Sequence, residues 1–405
     1  MTAQVPAYDY ATFPRKFVSY RWFKPLLVAV LAGVFMLLFQ LVVIVAAAIA
    51  AGDPNFLDHL GTGYDDMDFY DAPGAIAEIG AIAVMLPALA LAVGVVRDRP
   101  YSSLSSSRGG WNWSLFGLCL VIAAVIYAVT CVFQYVIFPS GAGDGVVRFT
   151  LGGIIACAIV IPIQCVAEEY VFRGFILQTV GAWTKLPALA IIVSAIAFAA
   201  GHPYNDIGVI SILINGIIWG IVAWQTKGLE ATSSLHIVNN YVAFYCAGFG
   251  LDPATSEITV ESLVVALVID VVFAVIVIAL GKRFNWFDAK KDGTVAFNRK
   301  KAEKIARKNK RRAKPWPGVP AAQPVQYPLA PTAPTQCAVP VAPPSQPWAQ
   351  PAQWNAPQSP AAVPQPAPAP QPASQPPVAA SAPQVAAAPQ PAPQPERRGK
   401  HARPE

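Results

Sequence analysis

Two adjacent acids and a guanidinium, Glu168, Glu169 and Arg173, interrupt a stretch that is otherwise apolar: Ile154, Ile155, Ala156, Ile159, Val160, Ile161 and Ile163 precede them, and Phe175, Ile176 and Leu177 follow. An ionisable side chain at the centre of a bilayer costs about 2.5 to 3.5 kcal/mol on insertion scales, so each needs a partner or a function. On a helix Glu169 and Arg173 stand at i, i+4 with the acid first, the favoured order for an ion pair. Glu168 points about 100° away and has no local partner, which makes it the candidate for chemistry. A structural ion network is the alternative use of the same residues. Of the four histidines, His202 and His236 lie in apolar sequence downstream. His236 and Asn240 share a helix face at i, i+4, while Asn239 turns partly away. A carboxylate in a low-dielectric pocket is a plausible general base for water, and imidazole or carboxamide donors stabilise the oxyanion formed when that water attacks a peptide carbonyl. Glu168, His202 and His236 could instead hold Zn²⁺ with an open position for water. Both routes are hydrolysis. No GxSxG elbow is present, and no membrane cysteine sits in a context that suggests an activated thiolate.

The elements that must position these residues are membrane helices. Of 405 residues, 55% are hydrophobic and 13% charged, and the mean hydropathy is +0.45. Long apolar runs recur to about residue 281, so the sequence predicts an all-α, polytopic membrane bundle. Runs of suitable length lie near 26–51, 75–96, 113–138, 150–182, 187–203, 207–225, 230–250 and 262–281, about eight spans. The first is too long for a signal-peptide core and reads as a transmembrane helix. The fourth would be about 50 Å long as a straight helix, against a hydrocarbon core of about 30 Å, and Pro162 is expected to kink it beside a cavity near Glu168. The fifth stops at Pro203.

Eight spans put both termini on one side. Segment 52–74 carries six aspartates and no Lys or Arg, whereas Arg15, Arg97, Arg99, Arg108, Lys185, Lys227, Lys282 and Arg283 fall on the opposite side. The positive-inside rule therefore places both termini in the cytoplasm of a cell-membrane protein. A simple topology then sets His202 near the outer end of its span and His236 near the inner end of its own, so tilted or broken helices must bring them to a common depth. The expected organisation is a cytoplasmic N-terminal segment (1–25), N-terminal transmembrane helices (26–112), a catalytic core (113–282), a basic juxtamembrane segment (283–314) and a Pro/Ala/Gln-rich disordered tail (315–405) that acts as a spacer or recruits a partner. The basic cluster from Arg299 to Lys314 matches anionic lipid rather than nucleic acid. The six cysteines form no CxxC pair, which argues against a disulfide framework or zinc knuckle. Glu78, Asn215 and Asp270 read as boundary or packing residues, with lining a water path as the alternative.

The ordered set Glu168-Glu169-x-x-x-Arg173, Phe198-x-x-x-His202 and His236-x-x-x-Asn240 resembles the three motifs of the CPBP intramembrane proteases, the family of CAAX prenyl endopeptidases and bacteriocin-processing or immunity proteins. The resemblance covers about residues 110 to 282. It implies an all-helical intramembrane endopeptidase in which Glu168 activates water, His202, His236 and Asn240 complete the site, and Glu169 and Arg173 hold its geometry. The family is usually labelled metalloprotease; for its CAAX-processing members a metal-free mechanism has also been argued, in which the equivalents of His202 and Asn240 donate to the oxyanion. Glutamate-activated water is the expectation here, with Zn²⁺ on Glu168, His202 and His236 as the alternative. The expected substrate is a peptide or protein at the membrane, and the prenylated CAAX substrate is not carried over. Two other classes compete: an ion- or proton-coupled transporter, for which spans one to four show no matching interrupted helix, and a non-proteolytic scaffold or immunity protein.

Overall fold

The computed structural model describes residues 8–58, 60, 68–137, 143–252, 255–289 and 291–312. The expected tail, 315–405, lies outside the described residues. Nine principal helices follow in chain order: α1 (Lys24–Ala51), α2 (Ala72–Val96), α3 (Trp113–Ile137), α4 (Leu151–Thr184), α5 (Pro187–Ala199), α6 (Asp206–Thr226), α7 (Glu230–Gly248), α8 (Val260–Arg283) and α9 (Val295–Arg312). Among the described residues there is no β-strand, only an isolated bridge between Ser106 and Gly228. The first eight helices coincide with the eight apolar runs. Six of them, α1, α2, α3, α4, α6 and α8, are long and apolar enough to cross a membrane. The other two are short (α5) or polar (α7). Every residue of α7 from Glu230 to Val238 is buried, the placement required of a polar helix in a lipid-solvated bundle.

Helix ends follow local chemistry. Side chains of Asp71, Asn112, Thr150, Asn205 and Thr259 accept from backbone N–H groups in the first turns of α2, α3, α4, α6 and α8, satisfying donors the helix leaves open. Arg97, Lys185 and Lys227 adopt positive φ just after α2, α4 and α6, putting cations beside helix C-termini. All three ends belong to the side expected to be cytoplasmic.

The long helix α4 lies between α2, α5 and α7. It runs α-helically through Pro162, and its departure from α geometry is a π segment, Tyr170–Ile176, directly after the two glutamates. The expected break is thus present but displaced. Pro162 has no N–H for the carbonyl of Ala158, and the Tyr241 hydroxyl of α7 donates to that oxygen at 2.7 Å. Tyr245 likewise donates to the Ile154 carbonyl at 2.8 Å. Ser194 of α5 donates to the Phe172 carbonyl inside the π segment at 2.8 Å. These bonds fix the register of α7 and α5 against α4.

The N-terminal segment and the 97–112 connection are packed rather than free. Tyr10 is fully buried and donates to the Leu104 carbonyl at 2.6 Å, and Arg15 donates to the Ala182 carbonyl at 2.9 Å. Asn298 of α9 accepts from Val18 N–H and donates to the Lys16 carbonyl, at 3.1 and 3.0 Å. Arg99 and Arg108, read from the sequence as loop charges, are buried: Arg99 donates to Gln178 at 3.1 Å and Arg108 pairs with Glu230 at 2.5 Å.

Candidate active site

The acidic pair sits where α4 gives way to its π segment. Arg173 donates to Glu169 at 2.8 Å with both side chains fully buried, the i, i+4 pair expected. Its Nε and Nη2 have no hydrogen-bond acceptor among the described residues. Aromatic faces cover the guanidinium instead, Phe198 at 4.2 Å and Trp219 at 5.3 Å from ring centre to cation, a cation–π enclosure that partly replaces lost hydration. Phe198 thereby links the arginine of one motif to the histidine of the next.

Glu168 faces the other way and is 6% exposed. Its Oε2 lies 3.4 Å from Nε2 of His236, while Nδ1 of the same ring lies 3.2 Å from Oε1 of Glu169. One imidazole thus lies between both carboxylates. Glu169 accepts from Arg173 and from Nδ1, so Nδ1 carries a proton, while Nε2 faces Glu168 Oε2, an oxygen with no hydrogen-bond partner among the described residues.

His202 lies beyond the end of α5, in the turn 200–205, with Nδ1 2.8 Å from the Phe198 carbonyl. A carbonyl only accepts, so Nδ1 carries the proton and Nε2 of the neutral ring is an acceptor. His202 could therefore donate to an oxyanion only as imidazolium. Asn240 has no such restriction: its Nδ2 donates to Gln164 at 3.1 Å, leaving a second N–H. A cavity of about 380 Å³ is lined by Glu168, His202, His236 and Asn240 together. The two histidines, which the linear topology sets at opposite ends of their spans, share this cavity because α5 ends at Ala199 and the following turn carries His202 to it, with the Phe198 ring 4.6 Å from His202 and 6.1 Å from His236.

Two lining residues, Gln164 and Trp219, were assigned no role from sequence. Gln164 precedes Glu168 by one helical turn, a spacing that could have marked it. Trp219 packs on His236 at 4.9 Å between ring centres, and no local pattern reveals that contact. Glu78 and Asn215, read as boundary or packing residues with lining a water path as the alternative, also line the cavity. With its amide oriented to suit its neighbours, Asn215 donates to the buried Asp270 at 3.1 Å.

The chemistry of Glu168, His202 and His236 suits zinc, since both histidines hydrogen-bond an oxygen through Nδ1 and can present Nε2. Their spacing does not: among the described residues no three His, Cys, Asp or Glu side chains are grouped so as to hold a metal ion.

Fold and site together define a polytopic helical membrane protein with a buried carboxylate–imidazole centre inside its bundle. Residues 150–242 match the family model described as Type II CAAX prenyl endopeptidase Rce1-like, a segment that contains all three motifs, so the resemblance read from the motifs is shown. The chain is also 26% identical over 166 residues to a Bacillus subtilis (strain 168) protein, "Uncharacterized protein YyaK"; the match covers 38% of this chain and 55% of that relative. No solved structure matches.

Proposed function

We propose that the chain is an intramembrane endopeptidase that hydrolyses a peptide bond of a membrane-associated peptide or protein. The observation that carries this reading is the opposition of Glu168 and His236 at 3.4 Å inside a cavity that also holds the Asn240 amide. Glu168 takes a proton from water as the water oxygen bonds to the peptide carbonyl carbon. The carbonyl oxygen gains the electron pair, and the Asn240 N–H stabilises it. Glu168, opposite His236 Nε2, then gives that proton to the leaving amine as the C–N bond breaks, giving a carboxylic acid and an amine. Glu169 fixes His236 and is itself held by Arg173. His202, an acceptor at Nε2 when neutral, lines the cavity where the water must sit and is assigned to orient it.

The protein would reside in the cell membrane with both termini in the cytoplasm, and the basic helix α9 would lie against anionic lipid. The test is cleavage of a peptide library, including prenylated and unprenylated members, by detergent-solubilised wild type and Glu168→Gln, with metal content measured on the same samples. Loss of cleavage in Glu168→Gln, and in His202→Ala and His236→Ala, is expected. Equal cleavage by wild type and Glu168→Gln refutes the assignment, and stoichiometric zinc lost in the histidine variants would replace the metal-free route.

A further inference from the structure

We infer that Tyr127, Asn239 and Cys165 are positioning residues that fix the direction of the Asn240 amide, so that Asn240 presents an N–H rather than an oxygen to the reacting carbonyl; this rests on the endopeptidase reading. Three hydrogen bonds run in one sense, and a fourth meets them at Gln164. The buried Tyr127 hydroxyl of α3 donates to Asn239 Oδ1 at 2.7 Å. Asn239 Nδ2 donates to Asn240 Oδ1 at 3.0 Å, and Asn240 Nδ2 donates to Gln164 Oε1 at 3.1 Å. From the far end the Cys165 thiol donates to the same Gln164 oxygen at 3.3 Å.

A primary amide has a donor end and an acceptor end of nearly equal size, so its neighbours alone decide which way it points. Here both ends of the chain donate inward. In this arrangement the phenol donates to the Asn239 oxygen and the thiol to the Gln164 oxygen, so the relay agrees with itself along its length. Asn240 then has its oxygen occupied and one N–H engaged, which leaves a single N–H to meet a ligand in the cavity. Reversing the relay would set an oxygen against the developing oxyanion. The arrangement also accounts for a cysteine beside Gln164 and for Asn239, neither of which the hydrolytic chemistry itself requires.

The test compares Asn239→Asp with Asn239→Leu. The carboxylate keeps the shape of asparagine and an acceptor for Tyr127 but has no donor for Asn240 Oδ1; two oxygens then oppose each other and Asn240 turns over. Leucine keeps the bulk and imposes no direction. Asn239→Asp should lose kcat by about 10²-fold or more, as Asn240→Ala should, because removing one oxyanion donor costs about 10²–10³. Asn239→Leu should show an intermediate loss, Tyr127→Phe and Cys165→Ala smaller ones, and KM should stay near wild type throughout. A leucine variant that loses as much kcat as the aspartate variant, or losses carried by KM, would make the role one of packing and overturn the inference. If Asn239→Asp does not fold, Tyr127→Phe and Cys165→Ala decide the matter: lowered kcat at unchanged KM supports the relay, and wild-type kcat in both overturns it. An active Glu168→Gln would remove the hydrolase reading itself, whereas an inactive Glu168→Gln with indifferent relay variants removes the relay alone. A wild type that cleaves no peptide refutes both.

Discussion

Glu169→Gln and Glu168→Gln are the same chemical change at adjacent positions, and the structure separates their consequences. Glu169 shares a 2.8 Å ion pair with Arg173, both side chains fully buried. Its removal leaves a guanidinium with two nitrogens already lacking acceptors, and the stacking on Phe198 and Trp219 is present before and after the change, so it offsets nothing. Breaking a buried pair by removing one partner costs about 3–5 kcal/mol. At about 2 °C per kcal/mol for a protein of this size, the thermal midpoint in detergent should fall by roughly 6–10 °C. Glu168 has no arginine partner, only His236 at 3.4 Å. Its replacement should cost less than about 1 kcal/mol, a shift of roughly 2 °C or less. The assay is thermal unfolding followed by tryptophan fluorescence, run beside the cleavage assay. Glu168→Gln should be inactive and stable, and Glu169→Gln inactive and unstable. The double replacement Glu169→Leu, Arg173→Met should recover most of the lost stability, since apolar groups of similar volume often match or exceed a buried pair. Equal midpoints for the two glutamine variants would refute the division into a reacting and a supporting carboxylate.

Tyr241→Phe should uncap the Ala158 carbonyl freed by Pro162 and cost about 1–3 kcal/mol, with kcat lowered as Asn240 loses its register against Gln164. An unchanged thermal midpoint would show that water caps this oxygen equally well. Replacing the exposed Arg299, Lys300, Lys304 and Arg307 of α9 with glutamine should remove about 4 kcal/mol of attraction to anionic lipid, at about 1 kcal/mol per residue. In nanodiscs, slower amide exchange of α9 with phosphatidylserine than with phosphatidylcholine should be seen for wild type and lost in the variant; identical exchange in both lipids refutes the membrane contact.

The eight segments were legible because most are runs of apolar residues and five of them begin at a capping side chain, and their limits shift by only a few residues in the structure. The Glu169–Arg173 pair was legible for the same reason: it depends on helical spacing within one element. What the sequence hid depends on how elements meet. That His236 lies between both carboxylates, that Tyr241 caps a carbonyl of α4, and that Arg108 and Glu230 form a buried pair 122 residues apart all follow from inter-helix register, which periodicity does not encode. The break in α4 shows the limit well. Proline marks where a helix lacks one hydrogen bond, but a neighbour supplied that bond, and the irregular segment fell instead at Tyr170–Ile176.

That displacement places the glutamates at a change of helical geometry. A π segment turns fewer degrees per residue than an α-helix, and such bulges recur at functional sites; here Glu169 ends the α part and Arg173 sits within the wide turns. The wider turns also leave backbone groups imperfectly paired, which lipid cannot satisfy. Ser194 meets one of these carbonyls from α5, the short helix whose end carries His202. The same contact that repairs the irregular backbone therefore ties α5 to α4, while the tyrosines of α7 tie His236 and Asn240 to the preceding turns. Neither α5 nor the polar α7 meets the length and hydropathy expected of a spanning helix, so both depend on the apolar helices around them. The motif residues are thus divided between one strongly apolar helix and two dependent ones, and helix packing rather than insertion alone must assemble the site.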